Sequence, residues 1–209
     1  SDLAKIPVIT IDRASDKGEV AVHIASNNIK GGEMAAEYIV SKLGEGTPVA
    51  ELEGIPGASA SRERGQGFHN IADKKLKVLA KQSANFDRSQ GLTVSENILQ
   101  ANPDVKAIFA QNDEMALGAI SAAKAANKQI FIIGFDGTDD GVKAVKDGTM
   151  AATIAQQPDK MGEIGVDAGF GARHLGIDLA ARLGPRAGGL GIQLRDLFGL
   201  LVQRLLPRG

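Results

Sequence analysis

Short apolar runs recur along this chain with helix-patterned segments between them, and that alternation constrains the fold more than any other feature. The runs are IPVITID (6–12), PVAELEG (48–54), LKVLAKQ (76–82), VKAIFAQ (105–111), QIFIIGF (129–135) and MAATIAQ (150–156). Helical patterns fill the intervals at 31–44, 59–73, 88–101, after Glu114, and at 138–148. A strand, a crossover helix and a second strand imply parallel pairing, with helices covering both faces of the sheet. The predicted class is α/β with a doubly wound parallel sheet. No strand is expected after residue 156.

Composition narrows what such a sheet can serve. At 209 residues and 43% hydrophobic content the chain can bury a core, and a formal net charge of −1 gives no overall electrostatic case for nucleic acid or an anionic membrane. The absence of Cys excludes disulfides, thiolate metal sites and Cys nucleophiles. The longest apolar runs fall well short of the ~20 residues that a membrane span needs. The chain opens at Ser1 without a signal peptide, as a processed chain or a piece of a longer one would.

The composition breaks near residue 168. All fourteen Lys lie at or before Lys160, and six Arg follow Ala168 in a stretch dense in Gly and Leu. Leu190, Leu194, Leu197, Leu201 and Leu205 recur at helical spacing, so 190–206 reads either as an amphipathic helix docking on the body or as an arbitrary sequence with that spacing.

In open parallel sheets, ligands bind outside the carboxyl ends of the strands. The polar residues expected there are Asp12, Arg13, Arg64, Asn112, Asp136 and Gln156. Carboxylates accept in pairs, guanidinium donates as a fork, and amides do both. Two Asp offset two Arg, so the set suits a neutral ligand rich in hydroxyls, and Asp12 and Asp136 would repel a phosphate. Each residue also has a structural reading. Asp136 can shape a turn, and Asp139, Asp140, Asp113 and Glu114 can favour helix starts. Arg62, Glu63 and Arg64 can form a solvated helix face, and Asp12–Arg13 a surface ion pair of ~0–1 kcal/mol. GIPG (54–57) before a helix has neither the dinucleotide fingerprint nor a P-loop Lys.

Nothing points to catalysis. His23, His69 and His174 lie near no nucleophile motif and show no metal-ligand spacing, so all three are read as packing or surface residues. Neither an enzyme nor a bound cofactor is expected.

The segments IPVITIDR, HIASNNIKGGEMAAEYI, ELEGIPGASASRERGQGF, FDRSQGL, FAQNDEMALGA and GFDGTDDGVKAVKDGTMAATIAQQP resemble the periplasmic sugar-binding proteins of bacterial ABC uptake systems, in particular the ribose-binding ones. The resemblance runs nearly without gaps from about residue 1 to 167, in whole decapeptides. It implies two doubly wound lobes joined by three crossings, with sugar held between them. On that pattern residues 1–26 are a remnant of the first lobe and 27–156 a complete second lobe. Residues 157–168 then return toward the first lobe, and 169–209 form an atypical tail. A family member would carry a segment before Ser1 that builds most of the first lobe, and a truncated or frame-shifted gene would give this arrangement.

The family's sugar contacts fall on Asp12, Arg13, Arg64, Phe86, Asn112, Asp136 and Gln156, with the Phe86 ring against the apolar C–H face of the sugar. The resemblance implies D-ribose as ligand, an ABC permease and a chemoreceptor as partners, and a periplasmic location. It also splits the polar run of the FAQNDEMALGA segment, with Asn112 facing the ligand while Asp113 and Glu114 start the helix. The alternative reading is the effector domain of a lactose-repressor-type regulator, which shares the fold. Its mark would be a helix-turn-helix header with a basic surface, and none is present in these residues.

Overall fold

The computed structural model describes residues 6–174 and 200–203. It divides into two compact units. One runs from Asn28 to Gln156 and includes a strand at Leu200–Gln203; the other holds the residues before Asn28 and the helix that begins at Pro158.

The larger unit is built around five parallel strands: β3 (Pro48–Glu53), β4 (Lys77–Ser83), β5 (Ala107–Ala110), β6 (Phe131–Asp136) and β7 (Ala152–Ala155). Their order is β4-β3-β5-β6-β7. Five of the six predicted strand runs supply them, and the class is α/β with a doubly wound sheet. Side chains alternate between faces along each strand. Thus Ala107 and Phe109 of β5 enter one apolar cluster with Phe68, Ile39 and Ile133. Ile108 and Ala110 enter the other, with Leu52, Ile98 and Met115. Helices α1 (Asn28–Leu43) and α2 (Ser59–Lys75) cover the first face. Helices α3 (Arg88–Ala101), α4 (Asp113–Ala125) and α5 (Asp139–Lys146) cover the second. Phe68 stacks on Phe109 with ring centroids 4.8 Å apart.

Local chemistry sets the helix starts. Asp87 caps α3 by accepting from Gln90 N, Asn112 caps α4 at Met115 N, and Thr138 caps α5 at Gly141 N. The strand order reverses direction between β3 and β5, since the chain crosses from β3 out to β4 and then back past β3 to β5. In open α/β sheets ligands bind outside the carboxyl ends of the strands at such a reversal, which here is the edge of β3 and β5.

The smaller unit contains β1 (Ile9–Ile11) and β2 (Val22–Ile24) in parallel, with α6 (Pro158–His174). Among the described residues its buried apolar cluster is Val22, Ile24 and Met161. Neither β2 nor α6 was among the expected elements.

The helical reading of 190–206 requires correction. Leu200–Gln203 is a strand, β8, paired antiparallel with β7 from Ala155↔Leu200 to Ala152↔Gln203. A run of Leu-Leu-Val suits a strand as well as a helix, and the edge of β7 offers backbone partners that periodicity does not register. The expectation of no strand after residue 156 falls with it. The rest of 190–206 lies outside the described residues.

Candidate functional site

Polar groups converge at the carboxyl ends of the five parallel strands. Arg64, on α2 after β3, is 3% exposed. Its Nε donates to Asn28 Oδ1 at 2.9 Å, and its Nη1 to the Gln111 carbonyl at 2.5 Å. The same Nη1 reaches Asp136 Oδ1 at 3.3 Å. Gln156 Nε2, just past β7, donates to that oxygen at 2.6 Å. Asp136 therefore receives a guanidinium and an amide, and its side chain remains 28% exposed. The guanidinium carbon lies 3.8 Å from the Phe135 ring centroid and 5.8 Å from that of Phe86. This places a cation between two aromatic faces.

Phe86 follows β4, and its ring crosses directly over Gly54 at the end of β3. A Cβ on Gly54 would stand 2.0 Å from Phe86 Cζ, so only glycine admits the ring there. The backbone at the strand ends is unusual. Asp12, Asn85, Phe86 and Asp136 have φ of 69°, 53°, 60° and 115°. Left-handed φ at non-glycine residues costs energy and persists where surrounding contacts over-determine it.

The polar run Gln111–Glu114 divides by function more finely than expected. Gln111 is fully buried, and its Oε1 accepts from Gly54 N (2.9 Å) and Ser61 Oγ (2.7 Å). Its Nε2 donates to Glu51 Oε1 at 2.8 Å. Asn112 Oδ1 caps α4, and its Nδ2 donates to the Phe86 carbonyl at 3.2 Å. Asp113 was expected merely to start the helix, yet it is fully buried and bonded to Thr138 and Thr153. Burial pushes its carboxyl above the usual range, against the opposing effect of those hydrogen bonds. Glu114 pairs at the surface with Arg88, which also holds Asp140.

Among the seven residues expected to contact ligand, Arg64, Asp136 and Gln156 meet directly, with Phe86 beside Arg64 and Asn112 bonded to Phe86. Asp12 and Arg13 belong to the other unit. There they follow β1, with Arg13 Nε 3.8 Å from Asp12 Oδ2, and Asp12 N donates to the Ile24 carbonyl at 2.8 Å. Arg64 was open to a solvated reading, which its burial excludes. Asn28 and Phe135, which orient it, were not anticipated. The signal for Phe135 was its adjacency to Asp136 in the strand run; Asn28 lies 36 residues from Arg64 and had none.

A doubly wound sheet with hydrogen-bonding side chains gathered outside its carboxyl edge is the build of an α/β module for small polar ligands. The chain belongs to the periplasmic binding protein family, whose domain model matches residues 3–172. It is 63% identical over 162 residues to the ribose import binding protein of Haemophilus influenzae, covering 77% of this chain and 56% of that protein. Identity to the ribose import binding protein of Bacillus subtilis is 57% over 169 residues, covering 81% and 55%. The chain thus spans little more than half the length of these relatives. Among solved structures, the Caulobacter myo-inositol binding protein bound to myo-inositol matches with a TM-score of 0.81 at 29% identity, over 97% of this chain and 68% of that one. An ABC transporter periplasmic solute binding protein from Actinobacillus succinogenes with bound D-allose matches at TM-score 0.74 and 34% identity, over 82% and 63%.

Proposed function

We propose that this chain is the sugar-holding part of the substrate-binding component of a bacterial ABC importer, and that its ligand is a neutral monosaccharide, D-ribose. The observation that carries the reading is the Asp136 carboxylate, which takes Gln156 and Arg64 on one oxygen and keeps part of its surface exposed. A carboxylate held this way accepts from vicinal hydroxyls, while Arg64 offsets its charge, so a neutral polyol suits the site better than an anion. Phe86 offers a ring to the apolar face of a sugar. The relatives named for ribose import support ribose in particular. Arg64, Phe86, Asn112, Asp136 and Gln156 are the proposed contacts from the larger unit. Asp12 and Arg13 are assigned to the same ligand by the resemblance alone. The role is binding and delivery to a membrane permease in the periplasm, with a chemoreceptor as a second partner, rather than catalysis.

Each net hydrogen bond contributes about 0.5–1.5 kcal/mol, and association must first offset lost rotational and translational freedom. The ligand of a two-lobed family member is enclosed from both sides. For a chain of about half that length the expected affinity is millimolar. Titrating the isotope-labelled chain with D-ribose should give saturable amide shifts at Asp136 and Gln156, and Asp136→Ala should abolish them. No ribose-dependent shift, or the same shifts in Asp136→Ala, would overturn the reading.

A further inference from the structure

Every described hydrogen bond of the Asp113 carboxylate leads away from its own helix. Oδ2 accepts from Thr138 N at 2.8 Å and Thr138 Oγ1 at 2.9 Å, and Oδ1 accepts from Thr153 Oγ1 at 2.7 Å. Thr153 Oγ1 in turn accepts from Gly137 N at 3.1 Å. Two glycines make room for the group: a Cβ on Gly134 would stand 2.2 Å from Oδ1, and one on Gly141 2.2 Å from Oδ2. The carboxylate therefore grips residues 137 and 138, one through Thr153 and the other directly. Those two residues follow Asp136, whose φ is 115°, and Gly137 itself has φ 71°.

A non-glycine residue stays at such a φ only while its surroundings hold it there. Released from the grip, Asp136 would relax to extended backbone and swing its carboxylate away from Arg64 and Gln156. We propose that Asp113 is a positioning residue: by fixing the Gly137–Thr138 turn it holds Asp136 in its left-handed conformation, with its carboxylate presented to the ligand. The ligand clause rests on the ribose-binding reading; the conformational clause does not.

The substitution Asp113→Asn keeps the shape but puts an N–H₂ against donors from Thr138 or Thr153. The readout is the amide-to-α-proton coupling of Asp136 in the isotope-labelled 209-residue chain, which is small near its observed φ and large in extended backbone. In Asp113→Asn this coupling is expected to rise to the extended value while those in β3 and β5 stay put, and the ribose-dependent shift at Asp136 to weaken at least tenfold. Leu99→Ala, a destabilising change in the core, should leave the Asp136 coupling untouched, which separates positioning from loss of stability. If Asp113→Asn does not fold, Thr153→Val removes the oxygen shared by Asp113 and Gly137, and the same coupling decides. An unchanged Asp136 coupling in the folded variant overturns the proposal, and so does a changed coupling with a wild-type ribose response. Should the wild-type chain ignore ribose, the ribose-binding reading fails, and the coupling still decides whether Asp113 sets the turn.

Discussion

His69 lies between two carboxylates, with Nε2 2.9 Å from Glu51 Oε2 and Nδ1 2.6 Å from Asp73 Oδ1. The hydrogen bond to Glu51 is the main reason its pKa rises from 6.5 to about 9, against the opposing effect of burial. A folded-state pKa above the unfolded one means that the protonated ring stabilises the fold. That contribution is complete below pH 6.5 and lost as pH climbs through about 9. Urea midpoints measured across that window should fall with rising pH, and His69→Gln should flatten the slope. A sequence reading could place His69 on a helix and no further. Its partner Glu51 sits inside β3 with no exposure, which alternation along PVAELEG does not reveal. Burying a carboxylate is costly unless it is paired, and the partners here come from α2 and from the end of β5.

At the scale of elements, the start of α4 carries more than a cap. Asn112→Ala removes the acceptor for Met115 N and the donor to the Phe86 carbonyl. Loss of such a cap costs about 0.5–2 kcal/mol, so the denaturation midpoint should drop accordingly, with α4 amides exchanging faster in hydrogen-exchange measurements. An Asn followed by two acids and an Ala-rich run is a helix-start pattern, yet the sequence reading gave Asn112 to the ligand and only Asp113 and Glu114 to the helix start. Its second bond was not legible, since Phe86 is 26 residues earlier. The five parallel strands of the larger unit were readable from their apolar runs. β2 is only three residues long, and β8 presents as many helix signals as strand signals until an edge is available to pair with.

For the whole molecule, core size separates the two units. The larger has apolar clusters on both faces of its parallel strands, whereas among the described residues the smaller has one buried apolar cluster, Val22, Ile24 and Met161, beside a two-stranded sheet. Two strands alone are marginally stable in water, and local opening follows local burial. Amides of Val22–Ile24 should therefore exchange faster than those of Ile108 and Ile133. Equal protection would show that the smaller unit has more support than its own core provides.

The chain's own pattern determined the α/β class, the parallel sheet, most helix starts and the gathering of polar residues at strand ends. These follow from periods of two and 3.6 residues and from capping chemistry, all of which act over a few positions. Tertiary structure decided which of those polar atoms meet. Arg64 and Asp136 are 72 residues apart, and Asp113 and Thr153 are 40 apart. Whether a carboxylate lies in solvent, under a guanidinium or among hydroxyls depends on strand order and register, through which distant segments come to share one sheet edge. The same dependence buries Arg64, which the sequence left open to a ligand-facing or a solvated reading, and sets Asp113, read as a helix-start acid, among the hydroxyls of Thr138 and Thr153.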